Sequence, residues 1–175
     1  MKRDYIEFQE RSVPKGFLIT IRCYGTWLHG DQRGSVNRRS FNSVGLPGIS
    51  ANKSLNQSDQ SQLLSKPFLL GSAERAIVES AIRDVCKHRS IGLAAINVRT
   101  NHAHAVTIAS SHPERIMNSF KSYSTRHLRE ASLVESSQKV WSRHGSTRWL
   151  WTEEHVELAV RYVLYGQGGD LPRFE

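Results

Sequence analysis

The chain has 175 residues, with 24 Lys and Arg against 16 Asp and Glu, a net charge of +8. That length suits one domain with its own core, and a composition 38% hydrophobic and 23% charged excludes a disordered chain. A pI near 9.9 points to a polyanionic partner, most simply nucleic acid, while no membrane span, no secretory signal and no disulfide framework are expected: no apolar run is long enough, MKRDYIEFQE lacks an apolar stretch, and Cys23 and Cys86 are the only cysteines.

Gly16 to Tyr24 (GFLITIRCY) follows Pro14 and is rich in aromatic and β-branched residues, which predicts a strand. Gly25 to about Pro67 is heavy in Gly, Ser, Asn and Gln and lacks a sustained period, so it reads as a long irregular insertion, with helical turns only near Ser58–Leu64. Its Arg33, Arg38, Arg39 and Lys53 suit backbone phosphates. From Ser72, as N-cap, the apolar spacing of Ala73, Ile77, Ala81 and Val85 predicts a helix closing at Lys87-His88-Arg89. Leu93–Val98 and Ala103–Ala109 read as two strands joined by a tight turn at Arg99-Thr100-Asn101.

A second helix is expected from about Ser111 to Glu130, with Pro113 in its first turn. Gln138–Trp151, which holds Trp141, Trp149 and Trp151, reads as a short strand, and a last helix follows from Thr152, its N-cap, to Tyr165. The order strand, helix, strand, strand, helix, strand, helix predicts an α+β fold. Its form is a ferredoxin-like, mainly antiparallel sheet with helices over one face, within a single domain spanning 1–175 and interrupted at about 25–67.

His102-Ala103-His104 is the most informative stretch. Alternate residues of a strand point to one face, about 6–7 Å apart, so two neutral imidazoles there can converge on one divalent ion. The metallo-hydrolase motif His-x-His-x-Asp-His is not met, because Ala105, Val106 and Thr107 follow. On the last helix His155, Leu158, Tyr162 and Tyr165 form a stripe at helical spacing. Tyr162 is either a packing residue or a nucleophile. A free phenol has a pKa near 10, so the second role needs a cation to polarise the phosphate under attack.

His102-Ala103-His104 resembles the HUH motif (His, hydrophobic residue, His). Arg161-Tyr162-Val163 with Gly166-Gln167-Gly168 resembles the tyrosine helix of the single-tyrosine HUH transposases, which comprise insertion-sequence enzymes and REP-associated tyrosine transposases. Tyr24-Gly25-Thr26-Trp27-Leu28-His29-Gly30-Asp31, Asn97-Val98-Arg99-Thr100-Asn101-His102, Phe120-Lys121-Ser122-Tyr123 and Trp141-Ser142-Arg143-His144-Gly145-Ser146 fit the same branch, so the resemblance runs from about Gly16 to Gly169.

The resemblance implies cleavage and rejoining of single-stranded, hairpin-marked DNA through a 5′-phosphotyrosine. Tyr162 would be the nucleophile, with Tyr165 and Tyr123 as poorer rivals. His102 and His104 would hold Mg²⁺ or Mn²⁺. The family's third ligand stands about one turn after the tyrosine; here that position is Gly166, and Gln167, one residue later, would be the third ligand. Lys121, Arg126, Arg129, Arg143 and Arg148 are the candidate DNA contacts. One or more tryptophans are candidates for base stacking, and Thr100 and Asn101 for orienting the ligands. A homodimer in a prokaryotic, nucleoid-associated cytoplasmic setting is also implied, with the tyrosine working in cis or in trans. Two other readings stand beside it: a catalytically inactive or domesticated relative that binds hairpins, and a metal-dependent phosphodiesterase that uses water.

Overall fold

The computed structural model describes residues 13–28, 31 and 51–167. Arg33, Arg38, Arg39, Gly168 and Gly169 lie outside the described residues. Four strands, β1 (Gly16–Cys23), β2 (Gly92–Val98), β3 (His102–Ile108) and β4 (Trp141–Leu150), form one sheet in the order β2-β3-β1-β4. Every neighbouring pair is antiparallel. Helix α1 (Lys53–Ser61) lies in the expected insertion. Helix α2 (Ser72–His88) carries the chain from β1 to β2, α3 (Pro113–Glu130) carries it from β3 to β4, and α4 (Glu153–Tyr165) closes the described chain. Each crossover joins parallel strands with a third inserted between them. This is the doubled split βαβ of the ferredoxin-like arrangement, an α+β fold.

The period of two decides what each sheet face does. On β1, Phe17, Ile19, Ile21 and Cys23 point to one side, with Ala103 and Ala105 of β3 beside them. They meet Val78, Ile82, Val85 and Cys86 of α2 and Ile116, Met117, Phe120 and Leu128 of α3 in the main core. Fully burying one such large side chain contributes roughly 1.5–3 kcal/mol. The alternate residues point the other way. Leu18, Val106 and Leu150 pack under Ala159 and Val163 of α4, joined by Ala95. Helices therefore cover both faces, not one as expected: α2 and α3 fill the first, and α4 half-covers the second.

Local chemistry accounts for the helix ends. Thr152 accepts a hydrogen bond from the His155 backbone N–H at 3.1 Å, and Glu153 and Glu154 sit in the first turn of α4, where the helix dipole favours negative charge. His112 caps α3 ahead of Pro113. Ser72 does not cap α2; the N-cap is Gly71, with no side-chain bond, and Arg75 donates to the Leu70 carbonyl instead. The insertion forms a two-turn helix at Lys53–Ser61, earlier than Ser58–Leu64, because the Asn52 side chain takes the Leu55 N–H at 3.0 Å. The strand over the Trp-rich segment is ten residues long, not short.

Candidate active site

His102 and His104 leave β3 on the face shared with α4, their ring centroids 4.7 Å apart. Both rings are held by oxygen at Nδ1. Thr20 Oγ1, directly across the β1–β3 ladder from His104, lies 2.7 Å from its Nδ1, and Asn101 Oδ1 lies 2.6 Å from Nδ1 of His102. His104 is only 6% exposed. Burial chiefly, then the neighbouring His102, push its pKa down to about 4, against a hydrogen bond accepted by Gln167 that raises it. At neutral pH this imidazole is uncharged, the state in which histidine donates to a metal.

The last helix delivers a phenol to the pair. The Tyr162 ring lies 5.4 Å from the His104 ring, centroid to centroid, in the same chain. Asn97 of β2 faces His104 across the β2–β3 ladder and donates through Nδ2 to the Val163 carbonyl at 2.8 Å, fixing the end of α4 over the imidazoles. The helix then stops. Gly166 donates its N–H to the Tyr162 carbonyl at 2.9 Å, and the Gln167 side chain folds back so that Nε2 donates to the same carbonyl at 3.2 Å. Its Oε1 is left 3.3 Å from Nε2 of His102. The turn needs glycine: a Cβ on Gly166 would sit 2.8 Å from the Tyr162 carbonyl oxygen and 3.0 Å from its ring.

These groups open into a cavity of about 980 Å³. Thr20, Arg22, His102, His104, Tyr162 and Gln167 line one part of it; Arg148, Trp149, Trp151 and His155 line another. None of the described residues that line it is an aspartate or glutamate, so the charged part of that described lining is cationic. The Arg22 guanidinium lies over the Trp27 ring, 4.1 Å from the centroid, and Trp149 stacks on Trp151 at 5.5 Å with an 18° angle between the planes.

The other sequence-predicted residues are dispersed. Tyr165 is 81% exposed and does not line the cavity; Tyr123 packs against the main core on the far side of the sheet, with Arg126 over its ring. Lys121, Arg126 and Arg129 surround a second hollow of about 560 Å³ beside Trp141. There Lys121 donates to the Ser142 and Arg143 carbonyls, and Arg129 to that of Ser136. Arg143 is an exposed residue of β4. Only Arg148 of the five basic candidates lines the cavity of the tyrosine. Thr20, Arg22, Trp27 and Asn97 were given no role in the site from the sequence, although Trp27 and Asn97 fall within the phrases that carry the resemblance. The signal for the first two was present, since they are the polar alternates of an otherwise apolar strand.

Among the described residues no three His, Cys, Asp or Glu side chains gather as a metal site. The side-chain oxygen next to the paired imidazoles is Oε1 of Gln167, 3.3 Å from Nε2 of His102. A His, His, Gln set of neutral nitrogen and oxygen donors fits a divalent ion. No helix among the described residues is long and apolar enough to cross a membrane.

Comparison with known proteins bears on this arrangement. Residues 66–162, more than half of the chain, match the sequence profile of the IS200-like transposases. No curated protein matches the chain. Among solved structures, a REP-associated tyrosine transposase bound to a REP hairpin is 14% identical, with a TM-score of 0.45 over 93% of this chain and 68% of that one. A candidate transposase from Deinococcus radiodurans R1 is 11% identical, with a TM-score of 0.43 over 97% of this chain and 98% of its own.

Proposed function

The chain belongs to the IS200-like transposase family, and on that footing we propose that it cuts and rejoins single-stranded DNA by way of a tyrosine–phosphate ester. The observation that carries this reading is the meeting of Tyr162, His104, His102 and Gln167 in one cavity. A hydrolase that uses water needs no phenol there. A packing tyrosine would be buried, whereas Tyr162 is 47% exposed and faces open space.

In the proposed reaction the Tyr162 phenolic oxygen forms a bond to phosphorus and the phenolic proton is released. The bond from phosphorus to the 3′ oxygen breaks, and its electron pair leaves with that oxygen, which takes up a proton. The products are a 5′-phosphotyrosine and a 3′-hydroxyl; the reverse attack by another 3′-hydroxyl rejoins strands and frees the enzyme. His102, His104 and Gln167 would hold the Mg²⁺ or Mn²⁺, which when bound supplies positive charge to the phosphate under attack. Thr20 and Asn101 fix the orientation of the two imidazoles. Asn97 and Gly166 fix where the phenol sits.

The partner in this reading is single-stranded DNA bearing a hairpin. Arg148 is assigned to the strand that enters the cavity, and Lys121, Arg126, Arg129 and Arg143 to backbone phosphates elsewhere on the protein. The stacked Trp149–Trp151 pair at the cavity wall is the candidate platform for an unpaired base. Tyr162 and the imidazoles meet within one chain, so the reading needs no residue from a second copy. The homodimer remains part of the proposal, as two sites each complete in itself, and sedimentation with and without hairpin DNA tests it.

The decisive experiment incubates the protein with hairpin-bearing single-stranded DNA and Mn²⁺ and looks for a covalent protein–DNA band in denaturing gels. The band is expected in the native protein and lost in Tyr162→Phe. Tight binding without any band would favour the hairpin-binding module, and cleavage that survives Tyr162→Phe would favour water as the nucleophile.

A further inference from the structure

We propose that Arg22, braced on Trp27, grips the phosphate that Tyr162 attacks. The inference rests on reading the cavity as a phosphodiester site, and it assigns the residue that holds the reacting group. In the β1–β3 ladder Arg22 is the direct partner of His102, just as Thr20 is the partner of His104. Directly paired residues on one sheet face have Cβ atoms about 4.5–5.5 Å apart. Arg22 and His102 thus leave the same face of the sheet side by side, and both line the cavity of Tyr162.

The Trp27 ring lies 4.1 Å from the guanidinium carbon and braces it on one side. A guanidinium stacked on an aromatic face keeps its N–H donors in one plane and presents them edge-on, the geometry that matches two oxygens of a phosphate. Arg148, the other arginine among the described lining residues, is less well placed. It pairs with Leu18 on β4, with β1 standing between it and the histidine strand, so it lies about 10 Å from β3. The two arginines thus divide the work: Arg22 takes the non-bridging oxygens at the phosphorus under attack, and Arg148 takes the strand beyond it.

In the attack, negative charge grows on those oxygens as the phenolic oxygen bonds to phosphorus and the 3′ oxygen departs. A preorganised donor aimed at growing charge acts on rate more than on binding, and loss of one such donor typically costs about 10²–10³-fold. The test measures covalent adduct at saturating concentrations of a hairpin-bearing single-stranded DNA pool with randomised flanks. Arg22→Gln should slow adduct formation about 100-fold while weakening DNA binding less than about tenfold. Arg22→Lys, which keeps the charge and loses the fork, should recover part of the rate. Trp27→Leu, which leaves the arginine unbraced, should fall between native and Arg22→Gln. An Arg22→Gln rate within threefold of native overturns the proposal.

Tyr162→Phe in the same assay separates the two ideas, since it removes the adduct whatever Arg22 does. Should the native protein form no adduct, arginine-detected NMR during titration with inorganic phosphate still decides the point. The Arg22 Nε–H resonance should shift further than that of Arg148, with the response gone in Arg22→Gln. An Arg22 signal that stays still while that of Arg148 moves overturns the assignment.

Discussion

The two faces of the sheet are made by the same strands and do opposite work. One face of β1 and β3 contributes Phe17, Ile19, Ile21, Ala103 and Ala105 to a dry core under α2 and α3. The other, one residue out of phase, contributes Thr20, Arg22, His102 and His104 to an open cavity, and only Leu18, Val106 and their neighbours to packing under α4. Stability and chemistry alternate along the chain residue by residue. A strand can thus carry reactive groups at full density on one side because its other side anchors it.

This division predicts that stability and chemistry can be damaged separately. The largest thermodynamic effect belongs to the core face. Phe120→Ala empties a site that is 1% exposed and should cost about 3–5 kcal/mol in denaturant unfolding. Adduct formation per folded molecule should be retained; a smaller stability loss with adduct abolished would blur the distinction between the faces. On the cavity face, Gly166→Ala forces a Cβ against the Tyr162 carbonyl and ring. It should lower adduct formation about tenfold, equivalent to about 1.4 kcal/mol, with only a small change in unfolding free energy.

The smallest expected effect is on the thiols. Burial pushes Cys23 up to about 12, and it pushes Cys86 up to about 11 against the pull of Arg83. Both remain protonated at pH 8, so iodoacetamide should leave the native protein unmodified, as mass spectrometry would show. The sign of the linkage follows. Because the folded values lie above the ordinary thiol value, the unfolded chain loses its thiol protons first as pH rises above about 9. Stability should fall from there upward, and a Cys23→Ala, Cys86→Ala protein should show a flatter profile.

Much of this was legible because periodicity reports burial. The strand at Gly16–Cys23, the helix ending near His88, the His102–His104 strand and the helix of Tyr162 all announce themselves by spacing, and the two histidines must share a face whatever lies above it. What covers a face is not a local property, so α4 lying opposite α2 and α3 could not be read from its own stripe. Helix α1 was placed too late, near Ser58–Leu64, because KSLNQSDQS buries no residue and its start is set by the Asn52 cap. Arg22 looked like a strand residue among others until Trp27, brought back by the turn after β1, came to lie against it. Lys121 and Arg129 illustrate the converse: their charge suits DNA, yet each also serves a nearby backbone carbonyl.

The lining of the tyrosine cavity has one more implication. Among the described residues, two arginines, three imidazoles and no acidic side chain line it, a welcoming niche for nearly any phosphate ester, whatever bases it joins. Such a niche discriminates poorly between one stretch of nucleic acid and another. On the proposed reading, the choice of where to act falls to surfaces outside this niche, which would meet the incoming molecule before its backbone reaches the phenol.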